Sequence, residues 1–368
     1  MTRRRVIGCM TGTSLDGLDA ALVEIEGVGT SMRATVSRLV SLGLGDAAGP
    51  LRDLAEGRPL TARDITLAAH SLTSIHVEAC VRVAAGLTVD LVCVHGQTIF
   101  HAPPLSWQLM QPAPIARALR CPVVFDLRAA DLAAGGQGAP ITPLSDWVLL
   151  GGGPVPTAVV NLGGFCNITL LPAASIPPDP DAQRATIEAR DVCACNQLLD
   201  AVAREALGRP YDEAGAAALR GRPDPGALAE LRALVNAQSR AGRSLGSGDE
   251  ATAWVSRFRS TVRPDDLAAT ACAAVAGEIA AHVGHAGRVV LAGGGVHNHA
   301  LVGAIRAASR APVLISDELG LPASHREAAC FAVLGALCQD GVPITLPRVT
   351  GVATAPVAGA WVYPPQHD

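Results

Sequence analysis

Lysine is absent from this 368-residue chain, so all 29 basic residues are arginine. A P-loop phosphotransferase needs the lysine of its glycine-rich loop, and a protein kinase needs a strand lysine on the nucleotide phosphates; neither mechanism is open here. Schiff-base chemistry on a lysine amine is closed too, which removes pyridoxal phosphate enzymes and lysine-dependent aldolases. A bias toward arginine and alanine accounts for the missing lysine without any functional cause. Aromatic residues make up only 3% and the net charge is −4. With few stacking platforms and no basic face, no nucleic-acid partner is expected. No uninterrupted apolar run reaches membrane-spanning length, and Arg3-Arg4-Arg5 leads into a segment too short and too polar for a signal peptide. No membrane partner is expected, and the expected location is the cytoplasm.

What is present suits a core-forming α/β protein. Hydrophobic residues reach 49% against 17% charged, and the length predicts two domains. The ten cysteines are scattered among apolar residues and read as buried small hydrophobes. Cys193 and Cys195 form the one close pair, without a second pair at zinc-like spacing. His297 and His299 read as solvated or capping side chains rather than ligands.

Three glycine turns stand out. Gly12, Thr13, Ser14, Leu15, Asp16, Gly17, Leu18 and Asp19 lie between the apolar runs Val6 to Cys9 and Ala20 to Ile25. A hairpin tip of small residues brings N–H groups and hydroxyls near an anion, and Asp16 offers a carboxylate to a metal. An ordinary glycine hairpin fits the spacing equally well. Ala158 to Leu162 and Asn167 to Leu171 flank Gly163 and Gly164, and Val289 to Ala292 runs into Gly293, Gly294 and Gly295. Asn298 then fits as the N-cap of a helix from His299 to Arg310. Leu91 to Ile99 reads as one strand, Cys121 to Asp126 as another, and Ile65 to Ala85, Ala113 to Leu119, Asn196 to Leu207, Leu228 to Ala237, Leu267 to Val283 and Arg326 to Gln339 as helices. Ser175 to Ala185 and Arg240 to Asp249 read as surface insertions. One hairpin per half, plus a strand, a glycine turn and a helix, resembles the actin, hexokinase and Hsp70 superfamily.

Six strings sharpen that resemblance: Gly8 to Asp19, His95-Gly-Gln-Thr98, Asp131 to Pro140, Asn161-Leu-Gly-Gly-Phe-Cys-Asn167, Gly293 to Gly295 with Asn298, and Arg326-Glu327-Ala328. In this order they resemble the anhydro-N-acetylmuramic acid kinase family over nearly the whole chain. The resemblance implies a two-domain actin-like ATPase fold, ribonuclease H-like in each half, with a nucleotide cleft between domains. Domain I is expected at 1–136 completed by 338–368, and domain II at 137–337. Hinges are expected near Gly135 to Gly138 and Gly335 to Gly341. The implied reaction uses ATP and Mg2+, opens 1,6-anhydro-N-acetylmuramic acid with water and phosphorylates O6. A small-molecule anhydrosugar and a second copy of the chain are the expected partners.

Roles follow by the same resemblance. Asp191 is the implied general base; the Gly12 to Asp19 turn, Gly163, Gly164 and Gly293 to Gly295 hold the nucleotide, Asp16 the metal, and His95, Arg128 and Glu327 the sugar. Each has a structural alternative: Asp191 and Asn196 as a loop carboxylate and an N-cap, and Glu327 as the fourth residue of a capping box from Ser324. The segment Asp191-Val-Cys-Ala-Cys-Asn196 departs from the family's D-x-G-P-G-N, with Cys193 and Cys195 in place of glycines and Ala194 in place of proline. Left-handed glycines there would cost about 1–2 kcal/mol each to replace. Only Gly242-Arg243 survives of the family's S-T-G-R-E, and Arg128 is one arginine where some members have several. A kinase for another anhydrosugar such as levoglucosan, and a nucleotide-binding homologue with impaired catalysis, are the alternative functions.

Overall fold

The computed structural model describes residues 2–12, 15–174, 180–241 and 249–365. Thr13 and Ser14, and the stretches 175–179 and 242–248 of the two insertions, lie outside the described residues. The chain divides into two compact units. Unit 1 is Met1–Gly152, Ser175–Ile187 and His325–Asp368; unit 2 is Gly153–Ala174 and Glu188–Ser324.

In unit 1, β1 (Arg3–Thr11), β2 (Leu18–Glu26) and β3 (Arg33–Leu42) form an antiparallel meander. The sheet continues through β4 (Leu91–Val94), parallel to β1, and reaches β7 (Val123–Phe125), parallel to β4. A C-terminal strand, Ala360–Val362, closes that edge. Between β4 and β7 the chain makes a separate hairpin of β5 (Gln97–Ala102) and β6 (Leu105–Leu109). The single strand expected over Leu91 to Ile99 is therefore two, broken at His95-Gly96. β1 lies directly against the helix Arg326–Gln339: a Cβ at Gly8 would collide with the Ala328 carbonyl and the Ala332 nitrogen. This close crossing presses the start of that helix onto the strand that ends in the hairpin tip.

Unit 2 repeats the order. β8 (Thr157–Leu162), β9 (Phe165–Leu171) and β10 (Glu188–Ala194) form the meander, and β11 (Arg288–Ala292) and β12 (Val313–Ile315) extend it in parallel. Each unit thus carries an α/β layer of ribonuclease H-like order, the fold class the resemblance implied. Each has its own apolar core, built around β1, β4 and the helix Ala62–Ala84 in unit 1 and around β8 to β11 and the helix Pro264–His282 in unit 2.

The unit boundaries differ from those the sequence suggested. The chain passes between units at 152/153, 174/175, 187/188 and 324/325, whereas the sequence suggested 136/137 and 337/338. Helix Pro143–Leu150 belongs with unit 1 because it packs on Arg326–Gln339, where Asp146 and Arg326 form a buried ion pair. A Cβ at Gly335 would stand 2.6 Å from that of Cys93, so the residue serves close helix–sheet packing. The glycines 151–153 lie at the first crossing. Among the described residues no helix is long and apolar enough to cross a membrane.

Candidate active site

The unit 1 hairpin is longer than its apolar runs suggested: β1 and β2 stay paired to Thr11 and Leu18, leaving residues 12–17 as the tip. Leu15 donates its N–H to Gly12 O at 3.2 Å, turning the tip back on itself. Asp16 is exposed, and Asp19 is half-buried on β2 opposite Met10. Thr11 Oγ1 donates to Gly96 O at 3.0 Å, tying the hairpin to the turn after β4.

His95 and Arg128 form one assembly. Arginine only donates, so the contacts from Arg128 Nε at 3.2 Å and Nη2 at 3.0 Å make His95 Nε2 an acceptor. The proton therefore sits on Nδ1, which donates to Gly96 O at 2.8 Å. Burial, reinforced by the Arg128 charge, pushes the His95 pKa down to about 3, so the ring is neutral. Arg128 Nη1 donates to Gly138 O at 2.7 Å, and the ring of His95 packs against Phe331 at 4.9 Å. With both ring nitrogens engaged, His95 holds the planar guanidinium of Arg128 in place together with Gly138 O.

Glu327 follows the buried ion pair in sequence. Arg326 Nε donates to Asp146 Oδ1 at 2.9 Å and Nη2 to Asp146 Oδ2, with both side chains shielded from solvent. Burial opposes the arginine's charge, and Asp146 more than offsets it. The helix starts at Arg326 with His325 at its N-cap and no side-chain cap, so the expected capping box does not form. Glu327 makes no hydrogen bond to another described residue, and burial raises its carboxyl pKa against the opposing pull of Arg326.

In unit 2 the turn after β8 receives the start of the helix Asn196–Val202. Asn196 N donates to Gly163 O at 3.0 Å, and Cys195 N and Gln197 N donate to Gly164 O at 2.9 and 3.2 Å. Asn196 is not a cap; its Nδ2 donates to Leu162 O at 3.1 Å. Gly293 has φ 84°, and a Cβ there would come within 2.7 Å of Asn161 Oδ1 and 2.9 Å of Leu162 O, whereas one at Gly294 would meet nothing within 4 Å. Gly163 and Gly293 therefore both border Asn161. Its Oδ1 is buried and has no protein partner among the described residues. Asn161 stood in a quoted motif without a role; its burial, invisible to the sequence, singles it out. Asn298 caps the helix His299–Ala308 as expected, accepting from Leu301 N at 3.0 Å.

Asp191 lies on β10, opposite Asn167, rather than on a loop, and the strand bulges between Asp191 and Cys193. Neither cysteine adopts a left-handed backbone, so the feared strain is absent. Both thiols are buried in the unit 2 core. Burial pushes Cys193 up to about 12 and Cys195 well above its ordinary value, which keeps them neutral and inert. Among the described residues no three histidine, cysteine or carboxylate side chains cluster as a metal site.

The family model for anhydro-N-acetylmuramic acid kinase matches residues 4–364. The kinase of that name from Salinibacter ruber is 34% identical over 395 residues, covering 99% of this chain and 97% of that protein. The one from Acidiphilium cryptum is 37% identical over 366 residues, covering 98% of both. Among solved structures, component A of (R)-2-hydroxyglutaryl-CoA dehydratase from Acidaminococcus fermentans aligns with a TM-score of 0.46 at 14% identity, covering 90% of this chain and 98% of that one. A ROK family glucokinase from Streptomyces griseus aligns at 0.39 with 14% identity, covering 90% and 99%. The chain belongs to the anhydro-N-acetylmuramic acid kinase family.

Proposed function

We propose that this protein transfers the γ-phosphoryl group of ATP to O6 of 1,6-anhydro-N-acetylmuramic acid while water opens the anhydro bridge. The observation that carries the nucleotide half is the unit 2 cradle. Two glycine turns border a buried Asn161 Oδ1 without a partner among the described residues, and a Cβ at Gly293 would collide with that oxygen and with Leu162 O. Backbone packed this closely, with an orphaned acceptor beside it, suits a polyanion that brings hydrated metal. The Gly12 to Asp19 hairpin, with Thr13 and Ser14, is assigned to the phosphates as well. Mg2+ characteristically keeps several waters and takes one or two carboxylates, which fits isolated Asp16 or Asp19 better than a dense cage. Bound metal would neutralise charge on the transferring phosphoryl group.

Asp191 takes the proton of the water that attacks C1. The C1–O6 bond breaks, and O6 forms its new bond to the γ-phosphorus as ADP departs, giving the sugar 6-phosphate. Arg128, held by His95 and Gly138, suits the lactyl carboxylate of the substrate. That assignment favours the muramic sugar over levoglucosan, which lacks an anionic group. Glu327 is assigned to a sugar hydroxyl. The same reading carries a homodimer, checked by sedimentation, and a cytoplasmic setting in which ten unpaired thiols stay reduced.

Coupled measurement of ADP release and product mass with the muramic anhydrosugar, levoglucosan and no sugar tests the reading. A sugar 6-phosphate formed one-to-one with ADP, at much higher specificity for the muramic substrate, is expected. Nucleotide binding without turnover of either sugar would overturn it.

A further inference from the structure

We infer that Ser41 and His325 are positioning residues for the nucleotide hairpin, holding the Asp19 carboxylate through a two-step hydrogen-bond chain. The inference rests on the reading above, in which that hairpin binds ATP. In the β2–β3 ladder Asp19 and Ser41 are direct register partners, so the backbone itself sets them side by side. Ser41 Oγ donates its only proton to Asp19 Oδ1 at 2.6 Å. It can then only accept from His325 Nε2, which lies 3.0 Å away. The His325 ring therefore carries a proton on Nε2. The direct separation from Nε2 to Asp19 Oδ1 is 3.7 Å, too long for a hydrogen bond, so the hydroxyl is a required link.

Position gives this chain its significance. His325 is the first residue of unit 1 after the chain leaves unit 2, and it is the N-cap of the helix whose second residue is Glu327. Its side chain is 14% exposed, against 37% for Asp19, so the shielded ring anchors the more open carboxylate. Only Oδ1 is tethered; among the described residues Oδ2 receives no hydrogen bond. One oxygen is thus fixed while the other remains for the ligand side of the hairpin. Fixing a carboxylate before ligand arrives lowers the ordering cost of binding. The chain also joins the hairpin assigned to ATP with the helix start assigned to sugar, through ordinary hydrogen bonds inside one unit.

The test compares disruptive with conservative substitutions. Ser41→Ala and His325→Phe should each weaken ATP binding to the sugar-free protein, measured by calorimetry with magnesium present, by about tenfold, the worth of a hydrogen bond to a charged acceptor. The KM for ATP should rise in parallel while the KM for sugar stays put. Ser41→Thr keeps the hydroxyl and His325→Gln keeps a donor at similar reach, so both should bind nearly as the parent does. Because the links act in series, Ser41→Ala with His325→Phe should be no worse than Ser41→Ala alone. Unchanged ATP affinity in Ser41→Ala, or equal losses in His325→Gln and His325→Phe, would overturn the inference. Parallel melting curves identify a loss that merely follows unfolding, which also counts against it. A parent protein that binds ATP but phosphorylates no sugar defeats the functional reading alone; one that binds no ATP defeats both.

Discussion

Around Glu327 in unit 1 the candidate side chains are held by side-chain hydrogen bonds and one ion pair. Arg326 grips Asp146 out of solvent, Arg128 is fixed by His95 and a backbone carbonyl, and Asp19 is tied through Ser41. Around Asp191 in unit 2 the backbone takes that part: Gly163 and Gly164 carbonyls receive a helix start, Gly293 packs on Asn161 and Leu162, and Cys193 and Cys195 fill apolar core. The difference teaches where each unit tolerates change. In unit 2 neither Cys193 nor Cys195 has a left-handed backbone, whereas Gly293 does. Unit 1 depends on partners, so losing one member of a pair is worse than losing both.

The largest effect should come from Asp191→Asn, which keeps the shape of β10 and removes the proposed base. Turnover of the anhydrosugar should fall by about two orders of magnitude or more, with ATP affinity held, as steady-state kinetics and calorimetry would show. Near-parental turnover would move the base elsewhere. Next is Arg326→Met, which strands the buried Asp146 charge and should cost about 3–5 kcal/mol in urea unfolding. Adding Asp146→Leu should restore most of that loss; a double variant as unstable as the single one would mean that packing, not charge, holds the helix start.

A smaller effect separates two neighbouring glycines in unit 2. Gly293→Ala must adopt φ 84° and press on Leu162 O, which should cost about 1–3 kcal/mol and weaken nucleotide binding. Gly294→Ala faces open space and should fold normally. Equal stability of the two variants would remove the case for backbone control in unit 2.

The last contrast is with pH. Burial lowers His76 to about 4 and His95 to about 3, against an unfolded value near 6.5. Both are bases depressed by folding, so the unfolded chain binds more protons below that value. Stability is fully present above about pH 6.5 and falls as pH drops toward 4 and 3, with a slope of at most about 1.4 kcal/mol per pH unit from each ring. His76→Leu should remove one such contribution, measured by denaturant unfolding at several pH values. An unchanged slope would mean that His76 is not buried neutral.

Much of this was legible because it is local. The helices Ala113–Leu119 and Arg326–Gln339 match the periodicity of their apolar residues at both ends, and Asn298 caps where its sequence context predicts. Both glycine hairpins formed between the expected strands. Edge strand β3 escaped notice because only one of its faces is even partly covered, so Arg33, Ser37 and Arg38 interrupt the apolar pattern. The Ser41 link to Asp19 was missed with it, since register is set by tertiary pairing. The capping box at Ser324 failed because the preceding residues form a short 3-10 turn and the helix begins at Arg326. The pairing of His95 with Arg128, 33 residues away, is set by tertiary packing, so no local signal in the sequence announced it.

Turnover in water enriched in oxygen-18 tests the central claim most directly. If water opens the anhydro bridge while O6 captures the phosphoryl group, product sampled within minutes, before anomeric exchange, carries one heavy oxygen at C1 and none on phosphorus. Heavy oxygen in inorganic phosphate, with the anhydrosugar recovered intact, would contradict the account and leave an ATPase.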